Sequence, residues 1–301
     1  MSAAAATIGT RPDDHARAWA SALGRVVVAL ITVIAIAVAV AFLLLPIIAL
    51  VTYQPLHDLI HGFGTQAATD AIKVSLKTNA IAFALMIVFG TPFAYVLGRR
   101  RFRGRSVVLT LVELPLVMPP AVAGLALLVA FGPLGLFGGA LSTLGIPNPV
   151  FRQGAVVMAI LFVASPFYLR GAIAAFEAVD ETLLDVAGTL GAGPLRRLLR
   201  VAIPLAAGGL GAAAAVAFAR GIGEFGATIL FAGSFPGTTQ TLPLAVYGEF
   251  DANLDQAIAI GVLLLAVSAA ILLASKLLVR LWTSSTSIST SRGGPSISTP
   301  S

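Results

Sequence analysis

Long apolar runs with few or no charged residues alternate with short polar stretches along most of the chain, and the lengths of those runs decide the fold. Arg25 opens a run over residues 26–51 that holds no charged side chain. Further runs cover about 71–98, 106–131, 153–175, 205–232 and 256–282. A helix needs roughly 20 apolar residues to cross a bilayer, so each run predicts one span. Together they predict an all-α polytopic membrane protein with six transmembrane helices. The first run is longer than the roughly 7–15 residues of a signal-peptide core, and it reads as a retained span. On this reading residues 1–24 form a polar N-terminal tail and residues 25–282 a six-span domain. Residues 283–301, rich in Ser and Thr, read as a disordered tail.

The longest polar segment that still has helical periodicity lies at residues 177–204. Leu183, Leu184, Ala187 and Leu190 recur at helical spacing. Gly191-Ala192-Gly193 interrupts that helix, and Pro194 suits the first position of a new one. Leu195, Leu198, Leu199 and Ala202 form a second apolar stripe, with Arg196, Arg197 and Arg200 spread around the polar side. Pro204 is expected to mark a bend into the next apolar run. The segment therefore predicts a short helix, a glycine corner and a second short amphipathic helix, tied to the membrane at both ends.

Charge adds an orientation. The loops at 53–70, 132–149 and 233–255 contain no Lys or Arg, whereas Arg99, Arg100, Arg101, Arg103 and Arg105 follow the second run directly. Basic residues mark cytoplasmic loops, so both termini and the 177–204 segment are expected to be cytoplasmic. A chain that is 58% hydrophobic and 11% charged cannot bury its apolar surface as a soluble domain. Its net charge of +6 sits in loops between spans and does not point to nucleic acid.

Several kinds of chemistry are excluded or weakened. There is no cysteine, hence no disulfide, thiolate metal site or thiol nucleophile. No Gly-x-x-x-x-Gly-Lys-Ser/Thr loop occurs, and none of Lys73, Lys77 and Lys276 follows a glycine. If the chain takes part in driven work, the motor is another polypeptide. His57-Asp58-Leu59-Ile60-His61 resembles a His-Glu-x-x-His zinc motif, which would make the chain a membrane metalloenzyme. Its Asp is shorter than the usual Glu and no third ligand is evident, so a solvated amphipathic turn is the better reading. No metal site and no catalytic residue is expected.

Arg220 and Glu224 stand four apart inside the fifth run, where ionisable groups are costly and face a bundle interior or wet cavity. They fit a pathway gate or a self-neutralising structural pair. Glu113 fits a lone helix-end carboxylate or a partner for a basic residue. Lys73 and Lys77 share a helix face and either draw anions to an entrance or snorkel to the interface. Arg220, Glu224 and Lys77 are the pathway candidates. Pro115, Pro119, Pro120 and Pro166 interrupt backbone bonding inside apolar runs, so the third span is not expected to be a plain cylinder.

Asp185-Val186-Ala187, three residues, Gly191, nine residues and Val201-Ala202-Ile203-Pro204 resemble the "EAA" loop of ABC importer permeases. That pattern reads Glu-Ala-Ala-x3-Gly-x9-Ile-x-Leu-Pro. The stretch from Gly223-Glu224-Phe225-Gly226-Ala227-Thr228 to Tyr247, and Glu113-Leu114-Pro115-Leu116-Val117-Met118-Pro119-Pro120, are similar to molybdate permeases, with sulfate/thiosulfate and tungstate permeases sharing much of both. The resemblance spans about residues 70–280. It implies a type I importer permease fold in a bacterial cytoplasmic membrane. It also implies a homodimer, two copies of an ATPase subunit that hold ATP and Mg, and an extracytoplasmic oxyanion-binding protein. No cofactor is implied for this chain itself. The ATPase-coupling residues it implies are Leu183, Leu184, Asp185, Ala187, Gly191 and Pro204, with Leu183, Leu184 and Ala187 turned toward the ATPase.

Overall fold

The computed structural model describes residues 12–287, and the parts of the two tails beyond them lie outside the described residues. The chain divides after Pro55 into two units. In the first unit, α1 (Pro12–Thr52) is one long helix, so half of the expected polar tail is helical. Its segment Gly24–Thr52 is apolar all round, with a mean hydropathy of 3.2 and large side chains exposed on every face. A helix of that kind is made for lipid or for another protein surface.

The second unit begins with α2 (Leu56–Phe63), a helix inside what the sequence suggested was a loop. Then come α3 (Gln66–Arg99), α4 (Arg105–Val117), α5 (Pro120–Phe131), α6 (Gly138–Thr143), α7 (Gln153–Glu177), α8 (Glu181–Thr189) and α9 (Pro194–Arg197). A π turn at Leu198–Ala202 joins α9 to α10 (Ile203–Ile222), followed by α11 (Gly226–Ala232), α12 (Leu242–Phe250) and α13 (Leu254–Ser287). Thr283 to Ser287 continue α13, where the sequence suggested the disordered tail begins.

Five helices among the described residues are long and apolar enough to cross a membrane, or six if α4 and α5 count as one broken span. The expected third span is therefore present but not continuous: α4 and α5 meet at 115°. The physical cause is Pro119-Pro120. Pro119 is the residue before α5, and Pro120 opens it, where a missing N–H costs nothing. Pro115 stays inside α4. The fifth span is likewise divided, with a break between Ile222 and Gly226.

The core lies where α7 packs against α3 and α10. Small residues permit the close approach: a side chain at Gly171 would meet Ala213, and one at Gly209 would meet Ala175. This is how helices associate where lipid removes the hydrophobic drive between them. Buried polar contacts add register. The Thr91 and Tyr168 hydroxyls lie 2.5 Å apart between α3 and α7, and Ser75 Oγ accepts the Leu242 N–H at 2.8 Å between α3 and the start of α12. The Gln256 amide donates to Gly62 O and Thr65 Oγ1, fastening α13 to the α2–α3 turn.

Candidate functional site

The helix–corner–helix segment forms as its sequence suggests. Asp180 caps α8 by accepting the Thr182 N–H at 2.9 Å, and that bond holds its carboxyl below the ordinary aspartate value. Gly191 takes φ +84°, a conformation that side chains rarely adopt, and so turns the chain at the corner. Pro194 opens α9.

Two expectations need correction. Leu184 does not face outward: it is 6% exposed and belongs to the main core, because α8 must bury one stripe to stay attached. The outward face is Leu183, Val186 and Leu190, which are 47%, 51% and 82% exposed. Asp185 is exposed and Ala187 half-buried. Pro204 does not end the helix either: α9, the π turn and α10 run on as one 29-residue helix, Pro194–Ile222. The reason is local. Proline removes a hydrogen bond and crowds the carbonyl four residues back. Here Ile203 N–H bonds to Leu198 O, and this wider turn just before Pro204 loosens the crowded turn. Leu198 and Ala202 are buried, while Leu195 and Leu199 remain exposed beside Arg196 and Arg200 around a shallow hollow of about 460 Å³.

At the other end of that long helix, Arg220 Nη1 stands 2.8 Å from Glu224 Oε2. The contact is an ion pair without aligned hydrogen-bond geometry at Oε2. The Glu224 side chain is 1% exposed and that of Arg220 29%. Glu224 Oε1 accepts the Ala227 N–H at 2.8 Å, so the same carboxylate closes α10 and starts α11 across the break. Sequence spacing finds the pair, but it cannot find the second role.

Packing binds this broken span to the other one. A Cβ on Gly124 of α5 would lie 2.6 Å from Ala227 O, and one on Gly226 would lie 2.7 Å from the Pro120 side chain. The starts of α5 and α11 are thus side by side. Lys77 is not part of this cluster. It is exposed on α3, whereas Asn79, two residues on, is buried with Oδ1 beside Gly221. Two residues are about 200° of helix, so the two side chains face apart.

The remaining charged candidates settle into local pairs. Glu113 lies 3.8 Å from Arg170, Lys73 lies 3.8 Å from Asp70, and Arg105 pairs with Glu177. His57 Nδ1 contacts exposed Asp58 Oδ1 at 2.8 Å, and the His57 and His61 rings are 5.9 Å apart. No cluster of three or more His, Asp or Glu suited to a metal occurs among the described residues.

Residues 90–284 match the family described as "Binding-protein-dependent transport system inner membrane component". The chain is 42% identical over 209 residues to the Molybdenum transport system permease protein ModB of Mycobacterium bovis, covering 69% of this chain and 79% of that protein. It is 35% identical over 239 residues to the Probable transport system permease protein NifC of Clostridium pasteurianum, covering 79% and 83%. A bacterial alginate ABC transporter, solved in complex with an alginate pentasaccharide-bound periplasmic protein, contains a chain with TM-score 0.67 and 19% identity, covering 86% of this chain and 96% of that one. That last likeness carries the fold alone. The family match includes both the helix–corner–helix segment and the Arg220–Glu224 pair.

Proposed function

Because this chain belongs to the family of inner-membrane components of binding-protein-dependent transport systems, we propose that it is the permease subunit of an ATP-driven oxyanion importer, with molybdate as cargo. The observation that carries the reading is the exposed α8 face of Leu183, Val186 and Leu190, mounted on a helix that runs from the corner to the Arg220–Glu224 pair. Such a piece takes up a push from a docked subunit and delivers it to membrane depth. The names of the relatives support the choice of molybdate. The chain has no phosphate loop of its own, so ATP and Mg belong to two copies of a partner ATPase. A second copy of the permease completes the pathway, and an extracytoplasmic binding protein delivers the cargo.

In this arrangement α8 lies on the cytoplasmic side, with both termini, and residues 132–149 lie outside. The cysteine-free chain makes that easy to test. A cysteine at exposed Ala140 should react with an impermeant maleimide added outside intact cells. Reaction only after the cytoplasmic face is opened would reverse the topology.

The function is tested by reconstitution with the ATPase and the binding protein. Ala187→Glu combined with Gly191→Val places a charge on half-buried α8 and a β-branched residue at φ +84°. ATP-driven uptake should fall by about tenfold or more, equivalent to ~1.4 kcal/mol of lost coupling. Binding of the loaded binding protein should be unchanged. Normal uptake by this correctly folded variant would sink the assignment. Competition among molybdate, tungstate and sulfate in the same vesicles tests the cargo, and equal inhibition by sulfate would remove molybdate from the proposal.

A further inference from the structure

Among the three arginines of the second short helix, Arg196 and Arg200 are exposed, but Arg197 turns inward. Its Nε is fully enclosed and has no hydrogen-bond partner among the described residues. Its guanidinium lies on Gly188 of α8: a Cβ there would stand 3.1 Å from Nη1 and 3.4 Å from Cζ. Gly188 is one helical turn from Leu184, the buried anchor of α8. The two therefore share the inward face of α8, opposite Leu183, Val186 and Leu190. That inward face rests on the π turn and α9, the beginning of the 29-residue helix. Leu184 supplies an apolar contact of ordinary kind. Arg197 supplies a flat, stiff plate against bare backbone near the C-terminal end of α8, where the helix dipole favours a cation.

We propose that Arg197 is a positioning residue for energy coupling, a strut that makes α8 and the helix Pro194–Ile222 move as one body when a partner pushes on α8. The inference rests on the permease reading above. At the glycine corner the Gly191 N–H bonds to Gly188 O and the Ala192 N–H to Ala187 O, both back to α8, and among the described residues no atom packs within 4 Å of a Cβ position on Gly191 or Gly193. Without a second point of contact beyond Leu184, a push on α8 is absorbed by rotation about the corner. The guanidinium on Gly188 is that second point. A Cβ at 188 would press on the guanidinium at 3.1 Å and make it give by a few tenths of an ångström, and a larger side chain would displace the plate.

The test uses the full permease reconstituted with its ATPase and the binding protein, and reads molybdate taken up per ATP hydrolysed. Arg197→Ala should lower that ratio by roughly tenfold, within the range by which residues along a coupling route change it. The complex should still co-purify, and its basal hydrolysis should be unchanged. Gly188→Leu should lower the ratio too, because the side chain pushes the plate aside. The double variant Arg197→Ala, Gly188→Leu should recover at least about half of the wild-type ratio, the leucine refilling the space from the other side. A residue that merely stabilises the fold would lower yield and leave the ratio alone. If Arg197→Ala does not assemble, Arg197→Lys is read instead, and its ratio should fall because an ammonium has no flat face. A wild-type ratio in Arg197→Ala, or in an assembled Arg197→Lys, overturns the strut. Absence of ATP-driven uptake in the wild type would instead overturn the permease reading.

Discussion

Glu224→Ala is expected to cost about 3–5 kcal/mol of stability, because it strips a partner from a charge held within the membrane. The substitution does two things at once. It leaves Arg220 without the carboxylate 2.8 Å away, and it leaves the Ala227 N–H without its acceptor. The break between α10 and α11 then has neither its neutralising charge nor its cap. Arg220→Ala keeps the Ala227 bond but leaves the almost fully buried carboxylate unpaired, so it should cost a comparable amount. The double alanine variant should recover at least about 1 kcal/mol relative to the sum of the single effects, as expected for groups in direct contact. The measurement is the thermal midpoint of the purified variants in one detergent, with molybdate uptake beside it. Strict additivity would show that the two side chains do not act as a pair.

Gly124→Val is expected to dislodge α5 from α11. The new Cβ would lie 2.6 Å from Ala227 O, 2.9 Å from Ala227 Cα and 3.0 Å from Leu230 Cβ. The two nearest atoms are backbone, so no rotamer change relieves the clash, and the helices must separate. Overpacking of this kind costs about 1–3 kcal/mol or more. The contact joins two broken spans, so uptake should fall more steeply than yield. Gly139→Val is the control, because nothing lies within 4 Å of its Cβ position and its effect should stay within about 0.5 kcal/mol. Equal behaviour of the two variants would mean that α5 and α11 do not bear on each other in the membrane.

The spans and the helix–corner–helix segment were legible because they rest on length and composition. An apolar run of 26 residues must be covered by lipid or protein whatever its neighbours do, and Gly-x-Gly-Pro breaks a helix locally. The 115° bend was only half legible. Proline showed that the third span is not a cylinder, but the angle comes from where α5 packs, on α11, a contact more than 90 residues away in the chain. The direction of Leu184 was out of reach for a related reason. Leu183 and Leu184 are adjacent and chemically identical, and only the position of α9 and the π turn decides which is covered. That Pro204 lies inside a continuous helix was not legible, because the wide turn that accommodates it has no sequence signature. Glu224 was recognised as an ion-pair partner, yet its hold on Ala227 depends on the helix break at 223–225, which a hydropathy profile averages away.

The π turn at Leu198–Ala202 has a bearing on how this chain tolerates changes of length. A π turn carries about one residue more than an α turn. Removing one residue there would close it to an ordinary turn and leave both flanks in phase. Removing one residue elsewhere between Pro194 and Ile222 would rotate one flank by about 100° against the other. Ala206, Leu210, Ala213 and Ala217, which are buried in the core with α7, would then lose their neighbours on one side of the gap. Along 29 residues the wide turn is thus the one built-in place where the chain can shorten by a residue while α8, at one end, and Glu224, at the other, keep their mutual bearing.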